Sequence, residues 1–228
     1  MSITRAELAS VEALATWMQT NCVPGIFKAV TYSDSVLTAT DADDNAVLKI
    51  NGGTGAGSSA YVRAYRTASS YIGLAGNRLP SSGKLSVIGC DNGFILGGKM
   101  SDTSGYERDF AMLVSVTNNG KPAIVFPSAL SSTANAQYKT SLNHVSFGDS
   151  ATISSTTTFT PESGQQTIMT TFGTNADITA VSYTPKAFYM PVHSAYSSGI
   201  GKFLCGGKVY ITNGYWCIDT EQTQEEET

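Results

Sequence analysis

The chain has 228 residues, 41% of them hydrophobic, enough to build a core without disulfide or metal staples. Its 14 basic against 18 acidic residues leave a net charge of −4, which removes most of the electrostatic basis for nucleic-acid binding. Charged residues make up only 14%, where about 25% is usual, so Ser, Thr, Asn and Gly must keep much of the surface wet.

The N-terminal MSITRAELAS lacks an apolar segment, and no run approaches the ~18 apolar residues of a membrane span. The expectation is a chain made in a cytosol, without a secretory signal or membrane insertion. Thr4-Arg5-Ala6-Glu7 has the form of a capping box, with Ile3 and Leu8 placed as a hydrophobic staple. Leu8, Val11, Leu14, Ala15 and Met18 then recur at helical spacing with Trp17 alongside, predicting an amphipathic helix over 4–20. It should stop before Val23-Pro24-Gly25. A helix this short is marginal alone and must bury its stripe. Two placements are open: a cap on its own body, or an arm over residues 1–24 docked on a neighbouring subunit. In the second, Leu8, Val11, Leu14, Trp17 and Met18 are the interface, and deleting residues 1–22 leaves the rest folded.

After Gly25 the pattern changes to short β-type runs, at 26–32, 35–40, 46–50, 60–66, 85–90, 93–100, 110–117 and 123–126. Further runs fall at 145–147, 152–159, 167–172, 187–192, 202–205, 208–212 and 215–219. Turn formers separate them, among them 41–45 (DADDN), Asp91-Asn92-Gly93, Asn118-Asn119-Gly120, Gly206-Gly207 and Asn213-Gly214. Residues 202–219 read as a three-stranded meander. The predicted class is all-β: an antiparallel sandwich or barrel-like body over 25–220 with one N-terminal helix. A Ser/Ala/Thr/Asn-rich stretch at 128–143 marks a subdivision of that body, and the acidic 221–228 reads as a disordered tail.

Catalytic and metal motifs do not assemble. The glycines of 51–59 (NGGTGAGSS) lack both the Lys of a phosphate loop and the spacing of a dinucleotide fingerprint. Phe147-Gly148-Asp149-Ser150 looks like a hydrolase Gly-Asp-Ser block. Neither His144 nor His193 has the acid two residues before it that such a block requires. Asp41, Asp43 and Asn45 alternate as calcium ligands do, but Ala46 and Gly52 stand where the loop needs Gly and a bidentate Glu. A turn in which Asp side chains bond the local backbone is preferred. The acids Asp102, Glu107, Asp109, Asp149, Glu162 and Asp177 are scattered, and no glycosidase pair stands out. Cys22, Cys90, Cys205 and Cys217 form no C-x-x-C; they read as reduced thiols, with a Cys205–Cys217 bridge across a hairpin as the alternative. No cofactor is implied.

The aromatic residues are the more informative set: 11 Tyr, 9 Phe and 2 Trp. Tyr61, Tyr65 and Tyr71 lie close together, and Tyr189, Tyr196, Tyr210, Tyr215 and Trp216 cluster late. Such side chains fill sandwich cores, but they also serve interfaces and stack on sugars. Tyr196, Tyr215 and Trp216 are the candidate glycan platform.

Three phrases carry a family resemblance: Cys90-Asp91-Asn92-Gly93-Phe94-Ile95-Leu96-Gly97-Gly98, Thr117-Asn118-Asn119-Gly120-Lys121-Pro122-Ala123, and Gly206-Gly207-Lys208-Val209-Tyr210-Ile211-Thr212-Asn213-Gly214-Tyr215-Trp216. Over roughly 85–219 the chain resembles structural proteins of tailed bacteriophages and prophages, of the tail or baseplate or associated with the capsid. The resemblance implies a non-enzymatic virion component made in the bacterial cytoplasm. It implies a homo-oligomer that also contacts other virion proteins, and it transfers no functional residue. A β-sandwich module that recognises host-surface glycan is the alternative, and the two coexist in a receptor-binding tail protein.

Overall fold

Thr4–Leu8 is a strand (β1), and the helix (α1) begins only at Val11 and runs to Asn21. The predicted helix over 4–20 is thus corrected at its start, for a physical reason. Ser10 is the N-cap: its hydroxyl accepts the Ala13 N–H at 3.1 Å, with Glu12 in the first turn. Upstream, Arg5 and Glu7 are exposed while Ala6 and Leu8 pack against the core, a period of two rather than 3.6. Backbone pairing of β1 with a later strand outweighs the local capping box. The helix stops ahead of Pro24, as expected. The Cys22 N–H bonds to the Met18 carbonyl, and the Cys22 carbonyl accepts from both Ile26 and Phe27.

The computed structural model describes residues 4–53, 60–65, 67–75, 77–78, 85–90, 93–102, 107–117, 122–127, 142–146, 152–153, 158–159, 168–170, 181–182, 187–189, 201–205, 208–212 and 216–223. After α1 come β2 (Ala29–Ser33), β3 (Val36–Thr40), β4 (Ala46–Asn51), β5 (Tyr61–Tyr65) and β6 (Tyr71–Ala75), an antiparallel meander in chain order. Then come β7 (Asn77–Arg78), β8 (Leu85–Cys90), β9 (Gly93–Asp102), β10 (Glu107–Thr117), β11 (Pro122–Pro127), β12 (Leu142–Ser146) and β13 (Thr152–Ile153). The chain continues through β14 (Thr158–Phe159), β15 (Ile168–Thr170), β16 (Val181–Ser182) and β17 (Ala187–Tyr189) to β18 (Gly201–Cys205), β19 (Lys208–Thr212) and β20 (Trp216–Thr223).

A second sheet has the order β1-β8-β9-β10-β11-β12-β13, with β7 on β9 and β16 on β10; a third has the order β14-β15-β17-β20-β19-β18. Every pairing is antiparallel, and among the described residues no sheet closes on itself. Among the described residues the fold is therefore all-β and sandwich-like with one short N-terminal helix, and no barrel closes. The meander expected at the C-terminal end is β18-β19-β20. β20 continues through Thr223, opposite Lys208, so Glu221–Thr223 belong to a sheet and not to a free tail. β12 pairs with β11, and β16 with β10, so the stretch at 128–143 is not a boundary between sheets.

One core joins the first two sheets. Leu37, Ile50 and Val62 form one cross-strand row on the meander, and Ala39, Leu48 and Ala64 the next; all are buried. Facing them are Val87, Leu96 and Met112 in one row, and Phe94, Val114 and Ile124 in another. A β-bulge opposite Ala39 and Thr40 lets Val47 and Leu48 both turn inward. The opposite face of β8–β10 carries Ile88, Ile95 and Leu113, also buried, which is why these strands read as continuous apolar runs. The third sheet reaches β9 and β10 through β20.

The helix closes one end of this core. Val11, Leu14, Ala15 and Met18 are buried in it, and Gln19 Nε2 donates to the Val30 carbonyl at 2.9 Å, covering the edge strand β2. Trp17 meets Phe94 edge-on, centroids 5.5 Å apart, above Gly89. A Cβ at Gly89 would lie 2.9 Å from Trp17 Cη2 and 2.7 Å from Thr4 Oγ1, so only glycine admits the indole there.

Candidate functional site

The outer face of β4–β6 carries a cationic and aromatic cluster. Alternation puts Tyr61, Arg63 and Tyr65 on one side of β5, while Val62 and Ala64 enter the core. Across β4, Lys49 stands directly opposite Arg63; across β6, Gly73 does. Glycine places no side chain there, so the guanidinium can lean between two phenol rings. Its Cζ lies 4.0 Å from the Tyr61 centroid and 4.2 Å from that of Tyr71. Tyr71, opposite Tyr65 in register, also packs against that ring at 5.5 Å, and Lys49 Nζ sits 5.4 Å from the Tyr65 centroid. Tyr65 is buried, whereas Tyr71 is 44% exposed.

Two like charges facing each other across a strand pair repel. The rings offset this, since each cation–π contact contributes about 0.5–2 kcal/mol depending on desolvation. Among the described residues no carboxylate joins them: the ion pair found is Lys28–Asp44, at the β3–β4 turn. Arg63 Nε is moreover buried with no hydrogen-bond partner. The cluster is thus positively charged, held rigid by stacking, and without a counter-ion among the described residues. Arg and Tyr in such an arrangement suit recognition of planar anions and of ring-bearing ligands.

Of the residues singled out in the sequence, Val11, Leu14 and Met18 are buried in the core; Leu8, in β1 and not in the helix, and Trp17 are packed against it. The stripe considered for a neighbouring subunit therefore meets its own chain, and the helix is a cap and not a free arm. Of the late aromatic platform, Tyr196 and Tyr215 lie outside the described residues, and Trp216 opens β20 opposite Tyr189. Tyr61, Tyr65 and Tyr71 are brought together. Arg63 and Lys49 are not legible as a pair in the sequence because their meeting depends on strand register, although the alternation Tyr61-Val62-Arg63-Ala64-Tyr65 is itself a signal of one shared face.

Asp41 is buried and forms the turn preferred for it. One carboxylate oxygen accepts the N–H groups of Asp43 (3.0 Å) and Asn45 (2.9 Å), and the other the Asn45 amide (3.3 Å). Among the described residues no group of three or more His, Cys, Asp and Glu gathers as a metal site would, and no helix is long and apolar enough to cross a membrane. Cys22 is a buried thiol. The alternative Cys205–Cys217 bridge is excluded by register. Cys205 pairs with Lys208 at one end of β19, and Cys217 with Thr212 at the other, two strands away. That is roughly 13 Å along the strands and about 10 Å across, where a disulfide needs Cα atoms within about 7 Å. His144 pairs with Val125 in β12. Asp102 ends β9, and Glu107 and Asp109 begin β10. His193, Asp149, Ser150, Glu162 and Asp177 lie outside the described residues. Comparison with protein-family models, with curated proteins and with solved structures finds no match to the chain.

Proposed function

We propose that the chain is a non-enzymatic structural protein of a tailed-bacteriophage virion, in the tail or baseplate or associated with the capsid, which assembles through contacts between repeated copies. The observation that supports this reading is where the three resembling phrases fall. Each spans a hairpin connection of the sheet framework: β8 to β9, β10 to β11, and β19 to β20. A surface kept wet by Ser, Thr and Asn and not by charge also suits close packing of copies, because few ions must be desolvated. Light scattering across a concentration series tests it. A defined ring, trimer or large closed assembly supports the reading, and a persistent 24.0 kDa monomer overturns self-assembly.

A second reading, a module that binds glycan, is favoured by one specific observation: the exposed Tyr71 ring stacked with Arg63 on the face of the meander opposite the core. Screening the purified chain against oligosaccharides tests this independently of its oligomeric state.

A further inference from the structure

The two cations on the outer face of β4–β6 deepen the glycan-binding reading and rest on it. We propose that this face binds acidic carbohydrate, a chain of uronic-acid type, with Arg63 and Lys49 meeting carboxylates and Tyr71 stacking on a sugar ring.

Three features of the face point the same way. First, Lys49 and Arg63 are direct cross-strand partners on one face of the meander, and among the described residues neither forms an ion pair with an acidic side chain. A protein of net charge −4 that holds two cations together in this way offers a local exception to its own charge. Second, the guanidinium is held against two rings, its Cζ 4.0 Å from the Tyr61 centroid and 4.2 Å from that of Tyr71. A fork held in this way loses little freedom on binding and matches the two oxygens of a carboxylate. Its buried Nε still lacks an acceptor. Third, the cross-strand row continues from Lys49 to Thr38 and Thr31, short hydroxyl side chains suited to sugar hydroxyls. An acidic peptide would need separate residues to meet the charges, the Tyr71 ring and the threonine row, whereas each uronic-acid unit carries a carboxylate, a ring face and hydroxyls together. A carbohydrate uses all three.

The test uses the full chain and three probes: oligogalacturonate, the same oligomer with its carboxylates methyl-esterified, and poly-glutamate of matched charge. Titration calorimetry at moderate salt should show binding of oligogalacturonate, with the ester and the polypeptide each weaker by about tenfold or more. Arg63→Lys keeps the charge but loses the planar fork. Tyr71→Ser removes an exposed ring. Both should weaken oligogalacturonate about tenfold, with the circular dichroism spectrum unchanged and a single cooperative melt retained at a modestly lower temperature. Equal binding of the ester overturns carboxylate recognition while leaving a glycan-binding module standing. Equal binding of poly-glutamate overturns the carbohydrate assignment in favour of an acidic polypeptide. Wild-type affinity in both variants removes this face as the site, and no binding of any probe overturns the proposal outright.

Discussion

The five-stranded meander has two faces built from the same strands, and they answer to different demands. On the inner face Leu37, Ala39, Leu48, Ile50, Val62 and Ala64 are all buried in paired rows. On the outer face Thr31, Thr38, Lys49 and Arg63 stand in one row beside Tyr61 and Tyr71. The inner face is stabilised by area removed from water, roughly 25 cal/mol per Å². The outer face places two like charges opposite each other, which folding does not require. A sheet can carry such a pair because its period of two separates the consequences: what a residue does for the fold and what it does at the surface are decided by parity.

The largest effect should come from removing what closes the inner face. Because α1 is part of the core, deletion of residues 1–22 should abolish cooperative unfolding, and not leave a folded body as a detachable arm would. It removes Val11, Leu14 and Met18, each worth about 1.5–3 kcal/mol by burial, together with the β1 edge of the second sheet. Thermal melts followed by circular dichroism decide this, and a sharp transition in the truncated chain would restore the arm. Next, Leu48→Ala should destabilise by about 2–5 kcal/mol through a cavity between the two sheets, read from urea midpoints. Gly89→Ala should come third at about 1–3 kcal/mol, since its Cβ would overlap Thr4 Oγ1 and Trp17. Near-ultraviolet dichroism should show the indole displaced.

A smaller change has the opposite sign. The two-residue turn from β2 to β3 holds Asp34 at φ 51° and Ser35 at φ 64°, both left-handed, with Ser33 and Val36 paired across it. This is the backbone a tight hairpin favours and that Asn-Gly adopts most readily. Replacing Asp34-Ser35 by Asn-Gly should raise stability by about 1 kcal/mol, read as an increase in melting temperature.

These positions also show how much of the fold can be read from the chain. Strong turn formers made the hairpins readable: β8, β19 and the C-terminal meander fall where Asn-Gly and Gly-Gly placed them. The N-terminus misled because two local signals compete there. Thr4–Glu7 satisfies a capping box and Ser10 is another cap, and the choice is made by the distant partner Leu85–Gly89, which no local pattern contains. β6 is not legible in the sequence because Tyr71–Ala75 (YIGLA) has a glycine at its centre and weak alternation. Of the outer-face cluster, the tyrosines could be grouped by proximity in sequence. Lys49 and Arg63 are 14 positions apart and become neighbours only through register.

The smallest predicted effect on stability is the one that separates the two faces most cleanly. Arg63→Gln removes two cation–π contacts and the repulsion with Lys49 together, and relieves a buried, unpartnered Nε. The losses and gains are each about 1 kcal/mol and opposed in sign, so the urea midpoint should shift by less than about 1 kcal/mol. Val62, one residue earlier on the same strand, points the other way: Val62→Ala should be several times more costly because its side chain is buried between Ile50 and the facing sheet. If Arg63→Gln is instead as damaging as Val62→Ala, the guanidinium is a structural bracket between Tyr61 and Tyr71, and the outer face belongs to the fold. If it is tolerated while oligogalacturonate binding is lost, the pairing of two cations on a surface that does not need them has its reason in recognition.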